Sequence, residues 1–141
     1  MKKTIALILM FLLAMSSFGI TNAEEITVPA DEPVIEEYID LSRVAVSLQI
    51  NGNTAQCSGS ARSIISTDTI KMTMYLQKHT STGWNSIRSW YKQGIRLVTL
   101  DKSESGLSSG TYRVFLYIEV HDSNGSFVES AYAYSKLKTI S

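Results

Sequence analysis

Cysteine is nearly missing from this chain. Cys57 stands alone, so no intramolecular disulfide is possible, and a domain outside the cell would have to rest on its packed core. Histidine is scarce too. His79 and His121 lie far apart, and neither has a partner at metal-ligand spacing, so both read as solvated surface residues and no metal site is expected. The stretch Asp122–Phe127, "DSNGSF", echoes the start of a calcium loop, but Ala133 stands where the loop needs a glutamate. Serine is abundant, yet no Ser-His-Asp set is readable, and no glycine-rich phosphate loop follows a strand. Cys57 falls in the inward phase of a strand of small residues, which points to a buried thiol rather than a nucleophile. The expectation is a protein without catalytic residues, cofactor or metal.

Proline is confined to Pro29 and Pro33, both within a segment of unusual charge. Residues 24–40 hold seven acids (Glu24, Glu25, Asp31, Glu32, Glu36, Glu37, Asp40) and no base. Residues 41–141 hold eleven Lys/Arg against six Asp/Glu. The formal net charge of zero therefore hides a split. Segment 24–40 reads as a mostly disordered acidic arm, with Val34, Ile35, Tyr38 and Ile39 available to dock its end. Before it, Lys2 and Lys3 precede an apolar run from Ile5 to Met15, and Thr21 and Ala23 are small enough for a cleavage site before Glu24. Residues 1–23 are expected to be a secretory signal peptide, leaving a secreted, extracellular protein without stable membrane insertion after cleavage. The organisation expected is signal peptide 1–23, arm 24–40 and one domain, 41–141.

From Arg43 onward the period is two. Val44, Val46, Leu48 and Ile50 share one face, as do Ala55, Cys57, Gly59 and Ala61, and again Ile70, Met72, Met74 and Leu76. Seven strands are predicted, over 43–51, 54–63, 69–78, 84–92, 95–100, 111–121 and 127–135, with short loops and no helix. This spacing predicts an all-β, antiparallel, immunoglobulin-like sandwich. Asn124-Gly125 predicts a two-residue type I′ hairpin. In that register Phe115 faces Tyr134 and Tyr117 faces Tyr132 on the side away from the core.

"GLSSGTYRV", with Leu107, Gly110 and Tyr112 before an alternating strand, resembles the tyrosine corner of immunoglobulin and fibronectin type III sandwiches. Cys57 stands where the first immunoglobulin cysteine would be, and Val114 replaces the second. The blocks "VSLQINGNTAQCSGS", "MYLQK", "GWNSIRSW" and "SGTYRV" together resemble an uncharacterised family of small secreted proteins of Gram-positive bacteria. That resemblance implies a β-sandwich and a bacterial, extracellular setting, and implies no catalytic residue.

Two surfaces remain. Phe115, Tyr117, Tyr132 and Tyr134, with Tyr75 on the neighbouring strand, form a candidate platform for a sugar ring or a protein partner; the alternative is that they only stabilise the sheet. In "GWNSIRSWYKQG", strict alternation puts Trp84 and Trp90 on one face, while Ile87 in the opposite phase points to a bulge or an edge strand; one Trp is expected in the core. Arg88, Lys92 and Arg96 nearby offer a basic face for anionic wall polymer. No nucleic-acid partner is expected, given that compartment. The function expected is a non-enzymatic module that binds a cell-surface glycan or protein through the aromatic face. The alternatives are a structural, self-associating module or a secreted effector or toxin.

Overall fold

A computed structural model describes residues 38–141. The signal-peptide assignment and all but the last three residues of the acidic arm lie outside the described residues. Eight strands run in order: β1 Leu41–Asn51, β2 Thr54–Ser63, β3 Thr69–Thr80, β4 Gly83–Ile95, β5 Leu97–Glu104, β6 Gly110–His121, β7 Phe127–Tyr134 and β8 Lys138–Ile140. Each of the seven predicted strands is present. The eighth corrects the count: β8 pairs with β6 along the same side as β7, after a break at residues 135–137. All pairings are antiparallel. One sheet has the order β1-β2-β5, the other β4-β3-β6-β7 with β8 beside β6.

The core lies between the sheets and follows the period-two pattern closely in β3 and β6. Ile70, Met72, Met74 and Leu76 from β3 meet Val114, Leu116, Ile118 and Val120 from β6, all buried. The small residues of β2 have a physical reason. A Cβ on Gly59 would lie 2.8 Å from Leu116 Cδ1, so any larger residue would require the buried Leu116 side chain to move. Cys57 is buried beside it in the same strand, at 2% exposure.

The hydroxyl of Tyr112, which is itself buried, donates to the Ser108 carbonyl at 2.6 Å, as the corner reading requires. Lys78 Nζ caps this corner, 2.6 Å from Ser108 Oγ and 5.7 Å from the Tyr112 ring centre.

One local expectation is corrected. The β6–β7 hairpin does not turn on two residues. Gly125 N donates to Asp122 O and Asp122 N donates to Ser126 O, both at 2.9 Å, with Gly125 left-handed at φ 81°. That is a three-residue loop, Ser123-Asn124-Gly125, closed by a glycine in the left-handed region. Asp122 Oδ1 reinforces it by accepting from Asn124 N and Ser126 N. The loop shifts the register by one, and a second irregularity between Val120 and His121 shifts it back. Phe115 therefore does oppose Tyr134, and Tyr117 opposes Tyr132.

The tryptophans follow the expectation drawn from Ile87: β4 is an edge strand bulged at that residue, and one Trp packs against the core. In β4, Leu76 pairs with Arg88 but Gln77 pairs with Ser86, so Ile87 is an extra residue. That bulge flips the phase. Trp90 packs against the core opposite Met74, and Trp84 lies on the outer face opposite His79.

Candidate functional site: the aromatic outer face

The outer face of the larger sheet is laid out by register. One row runs Ser89–Tyr75–Phe115–Tyr134 across β4, β3, β6 and β7, and the next runs Tyr91–Thr73–Tyr117–Tyr132. Every residue named from the sequence for this face is on it. Phe115 is the hub. Its ring stacks on Tyr75 at 5.6 Å between centroids and on Tyr134 at 5.0 Å, with interplanar angles of 21° and 23°. Tyr132 meets Phe115 at 6.4 Å and Tyr134 edge-on at 5.9 Å. The Phe115–Tyr134 pair is thus a ring stack, while the partners of Tyr132 are Phe115 and Tyr134 rather than the Tyr117 directly opposite.

Tyr117 is tied down elsewhere. Its hydroxyl donates to Glu119 Oε1 at 3.1 Å, and Glu119 Oε2 lies 3.0 Å from His121 Nε2. Desolvation, followed by the bond to Glu119, raises the Tyr117 phenol above its usual range. The bond to His121 is the leading reason that the Glu119 carboxyl lies below its own. His121 is therefore half-buried and engaged rather than solvated, and Phe127 meets its ring edge-on at 5.8 Å.

Exposure separates the anchors from the tips. Phe115, Tyr75 and Tyr117 are half-buried, whereas Tyr132 is 63% exposed and Tyr91 58%. Tyr91 did not emerge from the sequence, because the Ile87 bulge decides its phase. Its hydroxyl donates to Gln93 Oε1 at 2.9 Å. The same bulge hid a second feature: the Arg113 guanidinium lies between the rings of Trp84, at 4.1 Å, and Tyr134, at 4.2 Å, and its Nε donates to Gln77 Oε1 at 2.8 Å. The face thus combines a stacked, half-buried centre around Phe115 with exposed rings at Tyr91 and Tyr132.

The basic face expected around Trp84 and Trp90 takes a different form. Arg88 pairs with Glu104 at 2.9 Å, and Lys92 donates to the Thr99 carbonyl at 3.1 Å, so both are used between β4 and β5. Gly106-Leu107-Ser108-Ser109-Gly110 fits the G-x-S-x-G pattern letter by letter, a match missed in the sequence. It lies in the β5–β6 loop rather than in a strand-to-helix elbow, and Ser108 serves the Tyr112 corner. A concavity of about 760 Å³ lined by residues 49–53 and 138–141 contains none of the aromatic-face residues. Among the described residues no helix is long and apolar enough to cross a membrane.

No known family profile matches the chain, and no curated protein matches it. Among solved structures it is similar to wild-type OgpA from Akkermansia muciniphila in two crystal forms. One has 14% identity and a TM-score of 0.41, covering 73% of this chain and 31% of that one. The other has 14% identity and a TM-score of 0.38, covering 78% and 33%. The chain thus spans about a third of the length of these structures.

Proposed function

We propose that this protein is a secreted, non-enzymatic binding module of immunoglobulin-like architecture that takes a cell-surface glycan on its aromatic sheet face. The carrying observation is the pair of exposed rings, Tyr91 and Tyr132, set in one row across the larger sheet and backed by the Tyr75–Phe115–Tyr134 stack. Ring faces of this kind stack on the C–H faces of sugars, and their hydroxyls with the Glu119 and Gln93 side chains provide polar partners for sugar hydroxyls. A soluble sheet would carry Ser or Thr at these positions with less exposed apolar area, so a contact explains the patch better than sheet stability does. The architecture is supported by the strand order, A-B-E facing C′-C-F-G in immunoglobulin lettering, and by the Tyr112 corner.

The test is retention on purified cell wall together with a glycan array, comparing the parent with Tyr91→Ser/Tyr132→Ser. The core face is untouched, so the variant should fold, and retention should fall tenfold or more, a loss of about 1.4 kcal/mol. A folded variant with undiminished retention overturns the reading. A second reading, self-association, is favoured by the position of Tyr132 and Tyr134 on β7, which ends its sheet. Sedimentation separates the two: a parent that dimerises through these tyrosines and ignores glycans is an assembly module.

A further inference from the structure

We propose that Arg43, Arg62 and Arg96 form an oxyanion-binding site on the outer face of the smaller sheet, suited to a polymer that carries tetrahedral phosphate or sulfate groups. This site is on the opposite side of the sandwich from the aromatic platform and does not depend on it.

Register makes the site. Arg43 on β1 and Arg62 on β2 are directly opposed, next to the irregularity at Leu41/Arg43. Both are exposed, and Leu97 on β5 completes the row with no acid in it. Like charges directly opposed across a ladder destabilise it, and a Thr or Ser at either position would avoid the cost. The described ion pairs are Arg88–Glu104 and Glu119–His121, and none of the three arginines takes part in them.

Arg96 adds an independent observation. It is the one non-glycine residue with positive φ, 66°, among the described residues. Its backbone is fixed there: its N–H donates to Asp68 O and its carbonyl accepts from Ser63 N, both at 2.8 Å. That second bond brings Arg96 beside the end of β2, one residue from Arg62. Glycine or asparagine adopts this conformation at lower cost. Two breaches of local preference, one electrostatic and one conformational, therefore meet at the same corner, each at an arginine. Convergence of this kind marks functional ground.

The ligand class follows from the chemistry and shape. Guanidinium forks match tetrahedral and planar oxyanions with paired hydrogen bonds. The sheet face is open, with Ala45, Ser60 and Thr99 in the next row and Ser47, Ser58 and Asp101 beyond. It has no wall to dehydrate a single small anion. A polymer that meets several arginines and releases counterions suits it better.

The experiment uses the full chain on two resins, heparin for sulfate groups and immobilised long-chain polyphosphate for phosphate groups, over a salt series. Retention of the parent on either resin supports the site and names the oxyanion; retention on neither overturns it. Arg43→Gln/Arg62→Gln should elute at lower salt, with a log–log salt slope shallower by about two. Lys136→Gln/Lys138→Gln removes the same charge from a different place, and an equal shift there reduces the effect to bulk charge and overturns the proposal. Arg96→Gly should raise the denaturation midpoint yet weaken retention; a higher midpoint with unchanged retention removes Arg96 from the site and overturns the three-arginine assignment. Retention that appears only after Glu36→Gln/Glu37→Gln assigns the arginines to the chain's own acidic segment and overturns the polymer.

Discussion

Leu41 N donates a hydrogen bond of 2.7 Å to Glu129 Oε1, joining the first residue of β1 to the edge strand of the opposite sheet. The same carboxylate accepts from Asp40 N and from Ile39 N, each at 2.8 Å. Glu129 is buried, and its two oxygens collect three backbone N–H groups where the chain comes in toward the sandwich. Tyr38, packed against the core, is held in the same place.

Glu129→Ala leaves those three donors without their acceptor and should cost on the order of 3 kcal/mol. Glu129→Gln keeps one acceptor oxygen and should cost roughly half as much. Urea midpoints at constant slope measure both. Equal small losses in the two variants would mean that water replaces the carboxylate freely.

Asp40 lies beside this clasp and is held in a less comfortable state. Burial first, then the charge of Asp68 and a carboxyl–carboxyl hydrogen bond to it, then Glu129, raise the Asp40 carboxyl above its ordinary 3.8. A group raised in the folded state contributes stability that is complete below its unfolded value and is lost as pH rises through its folded value. Ionised Asp40 therefore works against the fold at neutral pH. Asp40→Asn should raise the thermal midpoint at pH 7, and the gain should shrink toward zero near pH 4. A gain that is independent of pH would separate Asp40 from its carboxylate neighbours.

Tyr112→Phe tests the corner. Removing the hydroxyl deletes the 2.6 Å bond to Ser108 O, while the ring stays in the core. The expected loss is about 1 kcal/mol in chemical denaturation, since the exposed Ser108 backbone regains water. An unchanged midpoint would leave the corner as geometry without energy.

Cys57 sets an alkaline limit. Burial, with a smaller contribution from the Glu104 charge, pushes its thiol from 9.0 up to about 12. The unfolded chain ionises first, so stability that is complete below 9.0 should drain away between 9.0 and about 12. Within that window the parent should lose about 1.4 kcal/mol per pH unit more than Cys57→Ala. Parallel curves for the two proteins would place the thiol in contact with water.

The strands were legible because β3 and β6 are covered on one face along their whole length, so alternation survives intact from Ile70 to Leu76 and from Tyr112 to Val120. The aromatic face was legible for the same reason. In β4 the out-of-phase Ile87 marked the bulge and the edge strand that are found, but which face Trp84, Trp90 and Tyr91 each take follows only from the register beyond that extra residue. The hairpin register came out right although its loop has three residues, since the irregularity after Val120 cancels the shift. Glu129 could not be read at all. It occupies an inward phase, and the donors that satisfy it lie 88 to 90 residues earlier in the chain.

Arg113 joins four strands of the larger sheet through its side chain: Trp84 on β4 and Tyr134 on β7 take the two faces of the guanidinium, and Gln77 on β3 accepts from its Nε. The stack depends on a flat cation, which lysine does not supply. Arg113→Lys should therefore behave like Arg113→Gln, each losing about 1 kcal/mol and each shifting Trp84 emission as the ring loses its cover. Tyr134 leans on Arg113 from one side and on Phe115 from the other, so either variant should also loosen the aromatic platform and weaken the proposed glycan retention, by less than the Tyr91/Tyr132 substitution does. A lysine variant that keeps the parent's stability, emission and retention would reduce Arg113 to a positive charge and leave Tyr134 positioned by Phe115 alone.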